Sequence, residues 1–309
     1  MGIISYFYKK SFLIRYDKDP AIPYFSVEDF LGMQIEKNIF TNSKGEEIHY
    51  FFYYYKDPKP NIVALFCPGM GPGHTAYFAE INELCKAGYK VLTLDYSGCG
   101  ESSGKTMYSV NGPTRDVNEL LNLLKLKEKI VILGHSLGGY TALNIANIRN
   151  DISKVVVISG FLSIENEMIG MLKSKFVAKR VKKFEQKNDS EFGFIDNIDY
   201  LKNTDDKILF MQSTDDKMVP FDYALGIVKE LNRPNIKCVV VENKGHNPLY
   251  SDDAVIYMNN TFYNYNKLIK DKTLNTLEKR KEYMSDKSIA KMTEIDQKLM
   301  GKVLAFIGK

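Results

Sequence analysis

Lys129-Ile130-Val131-Ile132-Leu133-Gly134-His135-Ser136-Leu137-Gly138-Gly139-Tyr140 joins a β-branched apolar run to a helix-forming one through a Gly-x-Ser-x-Gly pentapeptide. The pentapeptide alone is weak evidence. With Gly and Ser each near 7% of residues, ~0.1 chance matches are expected in a chain of this length. Its setting is more informative. An apolar strand before it and Gly139-Tyr-Thr-Ala-Leu-Asn-Ile-Ala146 after it predict the strand, sharp turn and helix of a nucleophile elbow. A serine on so tight a turn has a strained backbone, and glycines two residues before and after it let strand and helix approach. The competing reading is a glycine-rich turn with an idle serine.

Outward from this stretch, short β-branched runs alternate with helix-length amphipathic segments, which predicts an α/β fold with a mostly parallel twisted sheet and helices on both faces. Strands are expected at 62–67, 90–95, 129–133, 154–159, 207–212 and 236–242, each nearly unbroken in apolar residues, as strands buried on both faces should be. Residues 34–41 and 46–55 flank Asn42-Ser43-Lys44-Gly45 and predict an antiparallel edge hairpin. Helices are expected near 74–87, 114–126, 137–148, 222–231 and 252–269.

Two stretches interrupt the alternation. Residues 161–203 far exceed the usual ~2–6-residue connection between strand and helix, and read as a helical cap inserted over one end of the sheet. Residues 270–309 are helical and rich in Lys and Glu, with Ile289, Met292, Ile295, Leu299, Val303 and Phe306 at helical spacing. The expected division is an N-terminal extension, 1–32, and one domain, 33–309, that carries the cap and an extended segment, 250–285, before a closing helix.

Composition sets the outer limits. The 309 residues are 44% hydrophobic and 26% charged, in keeping with a soluble globular core. Forty-two Lys and Arg against 38 Asp and Glu, a net charge of +4, are too balanced for nucleic acid as the main partner. The four cysteines, Cys67, Cys85, Cys99 and Cys238, have no metal-like or CxxC spacing, and fit reduced thiols in a cytoplasmic protein. No run reaches the ~20 apolar residues of a membrane span, and residues 1–16 lack the long apolar region and cleavage site of a secretory signal. Gly2 invites myristoylation, but Tyr6 stands where that motif needs Ser or Thr.

Ser136 requires a base, because a serine hydroxyl is a poor nucleophile until a neighbour takes its proton. Four histidines are available. His49 falls in the edge hairpin, His74 opens a helix, and His135 is the strand-end neighbour whose side chain points away from the serine. His246, in Asn243-Lys-Gly-His-Asn-Pro248, follows the 236–242 strand at its carboxyl end, where open α/β sheets place their chemistry. Asp215 and Asp216 lie at the carboxyl end of the 207–212 strand, whereas Asp205 and Asp206 precede it and read as a solvated turn. Between the first two, the pattern Asp216-x-x-Val219-Pro220 favours Asp216. The order Ser136, Asp216, His246 is that of one family of triads and differs from those of chymotrypsin and subtilisin. Leu137 N–H is one expected oxyanion donor, and Met70 N–H, in the glycine-dense loop Cys67-Pro-Gly-Met-Gly-Pro-Gly73, is the other.

These motifs, with Phe40-x₄-Gly45 and Asp95-Tyr-Ser-Gly98-Cys-Gly100-Glu-Ser102, make the chain resemble the capped α/β-hydrolases that include monoacylglycerol lipases, cinnamoyl or feruloyl esterases and serine aminopeptidase-like hydrolases. Matching features run from about residue 38 to 250. The resemblance implies an α/β-hydrolase fold, a Ser136, Asp216 and His246 triad, Met70 and Leu137 as oxyanion donors, and no cofactor or metal. The implied reaction is hydrolysis of a small to medium acyl or aryl ester through an acyl-enzyme, with amide cleavage or acyl transfer as alternatives on the same residues. Two departures stand out. Pro68 replaces the His of the common His-Gly oxyanion motif, and 250–285 is longer than in relatives and is expected to help form the pocket.

Two readings of another class remain. One is a non-catalytic α/β-hydrolase-fold binding protein. The other is nucleotide binding by Gly98-Cys-Gly-Glu-Ser-Ser-Gly-Lys-Thr106, although its glycines are separated by five or three residues where a phosphate loop needs four. In the cap, Lys173, Lys175, Lys179, Arg180, Lys182 and Lys183 alternate with Phe176, Val177, Val181 and Phe184. This basic amphipathic face is either solvated or turned towards an anionic substrate or surface. Phe161, Phe176, Phe184, Phe192, Phe194 and Tyr200 either line an acyl or aryl pocket or pack the cap itself.

Overall fold

A computed structural model describes residues 2–308. Helix α1 (Ile3–Phe12) precedes the hairpin β1 (Gln34–Thr41) and β2 (Glu47–Tyr54), after which β3 (Ile62–Cys67), α2 (Phe78–Lys86) and β4 (Lys90–Leu94) begin the alternating part. It continues through α3 (Gly112–Leu124), β5 (Lys129–His135), α4 (Leu137–Ile148) and β6 (Ile152–Ile158). Then come α5 (Ile164–Leu172), α6 (Lys175–Asn188), α7 (Asn197–Asn203), β7 (Lys207–Ser213), α8 (Leu225–Leu231) and β8 (Ile236–Val241). Four helices close the chain: α9 (Asp252–Lys270), α10 (Leu277–Ser285), α11 (Ile289–Met292) and α12 (Gln297–Ile307).

All eight strands form one sheet in the order β1-β2-β4-β3-β5-β6-β7-β8. The hairpin is antiparallel, β2 pairs antiparallel with β4, and the remaining pairs are parallel. Alternation along each strand sends its side chains to two cores. Leu65, Leu92, Ile132, Val155 and Phe210 meet the helices on one face. Phe66, Val91, Val131, Val156 and Leu209 meet α2, α9 and α12 on the other. Pairing of Gly134 with Cys67, and of His135 with Ile158, brings the ends of β3, β5 and β6 level, so Ser136 emerges at a shared rim.

Three helices, α5 to α7, occupy the stretch between β6 and β7. Their anchors are polar. Arg115 of α3 donates to buried Asp189 (2.7 Å) and to exposed Glu191 (2.7 Å), and buried Asn197 of α7 donates to Asn144 of α4 (2.7 Å).

The chain's two ends show features that the sequence pattern does not specify. In the N-terminal stretch, α1 lies on α6, with the Tyr8 ring against Phe184. The apolar stripe from Ile289 to Phe306 is not one helix. Thr293–Asp296 breaks it, Ile295 bridges Tyr250 in a short β contact, and Asp296 caps α12 by accepting from the Lys298 and Leu299 N–H groups. Local capping chemistry overrides the helical period here. α12 packs back on the sheet, and buried Lys154 donates to its terminal carbonyls at Phe306 (3.0 Å) and Ile307 (3.1 Å).

Candidate active site

At Ser136 the backbone has φ 56° and ψ −120°, a conformation that costs a non-glycine residue energy and is held by its surroundings. Its N–H donates to Ile158 O (2.9 Å). The flanking glycines are required by space. A Cβ on Gly134 would lie 2.0 Å from Gly138 O, and one on Gly138 would lie 1.9 Å from Cys67 O. Strand, turn and helix therefore touch backbone to backbone, and α4 begins at once with Leu137. As the first residue of a helix, Leu137 has an N–H with no intrahelical acceptor.

His246 follows β8 and is held by Asp216, whose carboxylate lies 3.0 Å (Oδ1) and 2.9 Å (Oδ2) from Nδ1. That carboxylate is itself fixed, because its Oδ1 accepts the Met218 (2.9 Å) and Val219 (3.0 Å) N–H groups. Adjacent Asp215 has a different occupation. Its Oδ1 accepts from Ser213 and from the Gly245 N–H, so it shapes the loop that carries His246 without meeting the imidazole.

The other histidines separate cleanly. His49 lies in β2, with Nδ1 3.8 Å from Glu101. His74 is buried, donates from Nδ1 to Asp95 (2.8 Å) and is bonded at Nε2 to Tyr53 Oη (2.8 Å). Asp95 also accepts the backbone N–H groups of His74 and Glu101, so it ties the loop holding Met70 to the end of β4. His135 donates from Nε2 to the backbone O of His246 (2.7 Å), with Tyr77 Oη 3.0 Å from Nδ1. Burial and the nearby His246 push its pKa down to about 3, which keeps it neutral. His135 thus positions the backbone of the His246 loop, a role hidden in a sequence where it is only the serine's neighbour.

A cavity of about 210 Å³ opens on Ser136, Met70 and Leu137. Of the aromatic candidates, Phe161 lines it, stacked on Tyr140 at 4.3 Å between ring centres. The other five aromatic candidates lie outside its lining. Phe176 is exposed beneath Arg180, Phe184 packs against Tyr8, and Tyr200 donates to Asp206 (2.5 Å) near the opposite end of the sheet. Phe192 is buried against Arg115 and Phe194 is exposed. A basic helix turns its aromatic residues inward only where a partner face exists, and that of Phe184 is α1.

The lining that sequence reading missed comes from α1 (Tyr8, Phe12), from α5 (Ile164, Glu167, Met168, Met171) and from the loop after β7 (Lys217, Met218, Val219). The segment 250–285 contributes no lining residue. It builds a separate small cluster of Tyr265, Leu274 and Met284 with Met292.

The loop 98–106 does not cradle phosphate. A phosphate loop directs N–H groups inward, whereas here the carbonyls of Gly100, Ser102 and Gly104 converge on the Arg15 guanidinium at 3.0, 3.1 and 2.8 Å. No helix begins at Lys105 or Thr106. Among the described residues there is no cluster of three or more potential metal ligands, and no helix is long and apolar enough to cross a membrane.

Residues 63–193 match the family described as alpha/beta hydrolase fold. The chain has the α/β-hydrolase fold. A proline iminopeptidase of Saccharolobus solfataricus is 31% identical over 122 residues, covering 38% of this chain and 39% of the relative. Human protein ABHD12B is 25% identical over 201 residues, covering 59% and 52%. The chain therefore spans about half or less of the length of these curated relatives. Among solved structures, an esterase of Pyrococcus furiosus superposes with a TM-score of 0.55 at 18% identity, covering 74% of this chain and 90% of that one. The superposed esterase shares the fold, and the names of these matches span different reactions.

Proposed function

We propose that the chain is a serine hydrolase that cleaves small to medium acyl or aryl carboxylic esters through an acyl-enzyme on Ser136, without metal or cofactor. The observation that carries this reading is a serine in a strained elbow at the floor of an apolar cavity, on the same sheet rim as an imidazole held by a buried carboxylate. Nδ1–H donation to Asp216 leaves Nε2 of His246 as the proton acceptor. In the proposed cycle Ser136 Oγ attacks the ester carbonyl and its proton passes to Nε2. The Met70 and Leu137 N–H groups receive the oxyanion, the alcohol leaves with the proton from Nε2, and water deprotonated by His246 then releases the acid.

The cavity favours an uncharged acyl or aryl group, because its lining is mostly aliphatic and aromatic. Four free thiols, three of them buried, support a reducing compartment such as the cytoplasm. The basic face of α6 supports contact with an anionic group or surface outside the cavity. Amide cleavage on the same residues is the second reading, favoured by the match to a proline iminopeptidase.

Labelling with a fluorophosphonate, followed by a p-nitrophenyl ester series against matched aminoacyl amides, tests the proposal in wild type, Ser136→Ala and His246→Ala. Label and ester turnover should vanish in Ser136→Ala. Their survival there overturns the nucleophile, and faster amide than ester turnover relative to the uncatalysed rates moves the assignment to the second reading.

A further inference from the structure

Glu167 is out of place in the cavity. It lies on α5 over the loop that follows β7, is 6% exposed and lines the same space as Ser136, yet its Oε2 has no hydrogen-bond partner among the described residues. A buried carboxyl without a partner is costly, and a fold keeps one where something else completes it. From the facing elements, Tyr8 on α1 and Lys217 after β7 share the lining, and Asp216 is near enough to act on Glu167 electrostatically.

We propose that Glu167 forms a substrate subsite in which its protonated carboxyl donates a hydrogen bond to a neutral acceptor oxygen, a ketone, ether or hydroxyl, carried by the ester in addition to the scissile group. This rests on the hydrolase reading and narrows it from any apolar ester to one with a second oxygen.

Two features favour the neutral donor over an anion awaiting a cation. Burial, and then the Asp216 charge, push the Glu167 carboxyl up to about 8, so the acid form predominates near neutrality. The remainder of the cavity supplies mostly carbon atoms, which would leave a bound cation poorly solvated. A site built to donate one buried hydrogen bond discriminates strongly against an analogue that lacks the acceptor, because the donor is then left unpaired.

The test walks one oxygen along an ester. In p-nitrophenyl hexanoate, and separately in hexyl acetate, each chain methylene not bonded directly to the ester group is in turn replaced by an ether oxygen or a ketone. Turnover is read in wild type, Glu167→Gln and Glu167→Met, and binding of the same esters to Ser136→Ala is read by calorimetry. At one position the oxygenated ester should exceed the all-carbon one by about tenfold or more in kcat/KM and in affinity. Glu167→Gln, which retains an N–H donor and the shape, should keep that preference. Glu167→Met should abolish it, with the fold of the variant checked by its thermal melting.

No preference at any position, or a preference that survives in Glu167→Met, overturns the subsite. Preferential binding of ammonium-bearing esters that Glu167→Gln loses overturns it in favour of an ionised carboxylate. Because binding to Ser136→Ala requires no chemistry, these outcomes are legible even if esters are not hydrolysed, whereas absent turnover of every ester by the wild type counts against the hydrolase reading alone.

Discussion

The carboxylate of Asp216 spans Nδ1 of His246 with both oxygens, at 3.0 and 2.9 Å, while its sequence neighbour Asp215 turns aside to hold the Gly245 N–H at 3.1 Å. Two adjacent acids thus divide two tasks, one on the imidazole and one on the loop that carries it.

Asp216→Asn should therefore lower kcat by about 10³–10⁴ while the protein remains folded, because an amide no longer fixes the Nδ1–H tautomer. Asp215→Ala, which removes loop contacts only, should cost less than tenfold. Steady-state ester hydrolysis by the two variants compares them directly, and equal losses would show that the carboxylate contact to His246 carries no special weight.

Strain at Ser136 has a measurable counterpart. Glycine adopts φ 56° and ψ −120° with little penalty, so Ser136→Gly should be inactive yet more stable than Ser136→Ala by about 1 kcal/mol. Urea unfolding midpoints of the two inactive variants read the difference without interference from catalysis, and a lower midpoint for the glycine variant would contradict stored strain.

Arg15 clamps the loop 98–106 through three backbone carbonyls, and Tyr16 adds a strand-like bridge to Cys99. The Arg15 side chain is about one third exposed, so solvent weakens these bonds. Arg15→Met should cost about 2 kcal/mol and speed proteolytic cleavage between residues 98 and 106. Unchanged stability and unchanged cleavage would mean that the loop holds itself.

Glu80 is buried behind the site beside His135 and Tyr250, and burial pushes its carboxyl up to about 7. The sign follows from linkage. An acid whose pKa is higher in the folded chain than in the unfolded one, where it is ~4.3, holds its proton longer when folded, so stability is greatest below the unfolded value and is lost as pH rises towards the folded value. Wild-type stability minus that of Glu80→Gln should thus fall by about 3 kcal/mol between pH 4 and 8, with the change concentrated between about 4.5 and 7. Unfolding free energies at four or five pH values give the difference curve, and a flat curve would place the Glu80 proton elsewhere.

The elbow and the strands were legible in the sequence because their signals are local. Unbroken β-branched runs read as strands buried on both faces, and β1 and β3 match their expected limits residue for residue. The glycines around Ser136 state a steric requirement that a Cβ would violate, wherever the remainder of the chain lies. Rim placement of Asp216 and His246 follows from strand direction, which alternation with helices imposes.

The pocket was not legible, because its lining comes from segments that no period or spacing connects. Tyr8 and Phe12 lie on α1, more than 120 residues before Ser136, and reach the cavity only because α1 docks on α6. The aromatic residues of α6 read from sequence as pocket candidates, but a helix rotation set by tertiary contacts leaves Phe176 in solvent and turns Phe184 to Tyr8. Glu167 is one more acid on an amphipathic helix until burial removes its water. The sequence by itself determined the sheet, the elbow and the rim on which Ser136, Asp216 and His246 stand, since backbone sterics and strand alternation act over a few residues. Only the tertiary structure decided what faces Ser136 across the cavity, since burial is a property of surfaces that meet after the chain has folded.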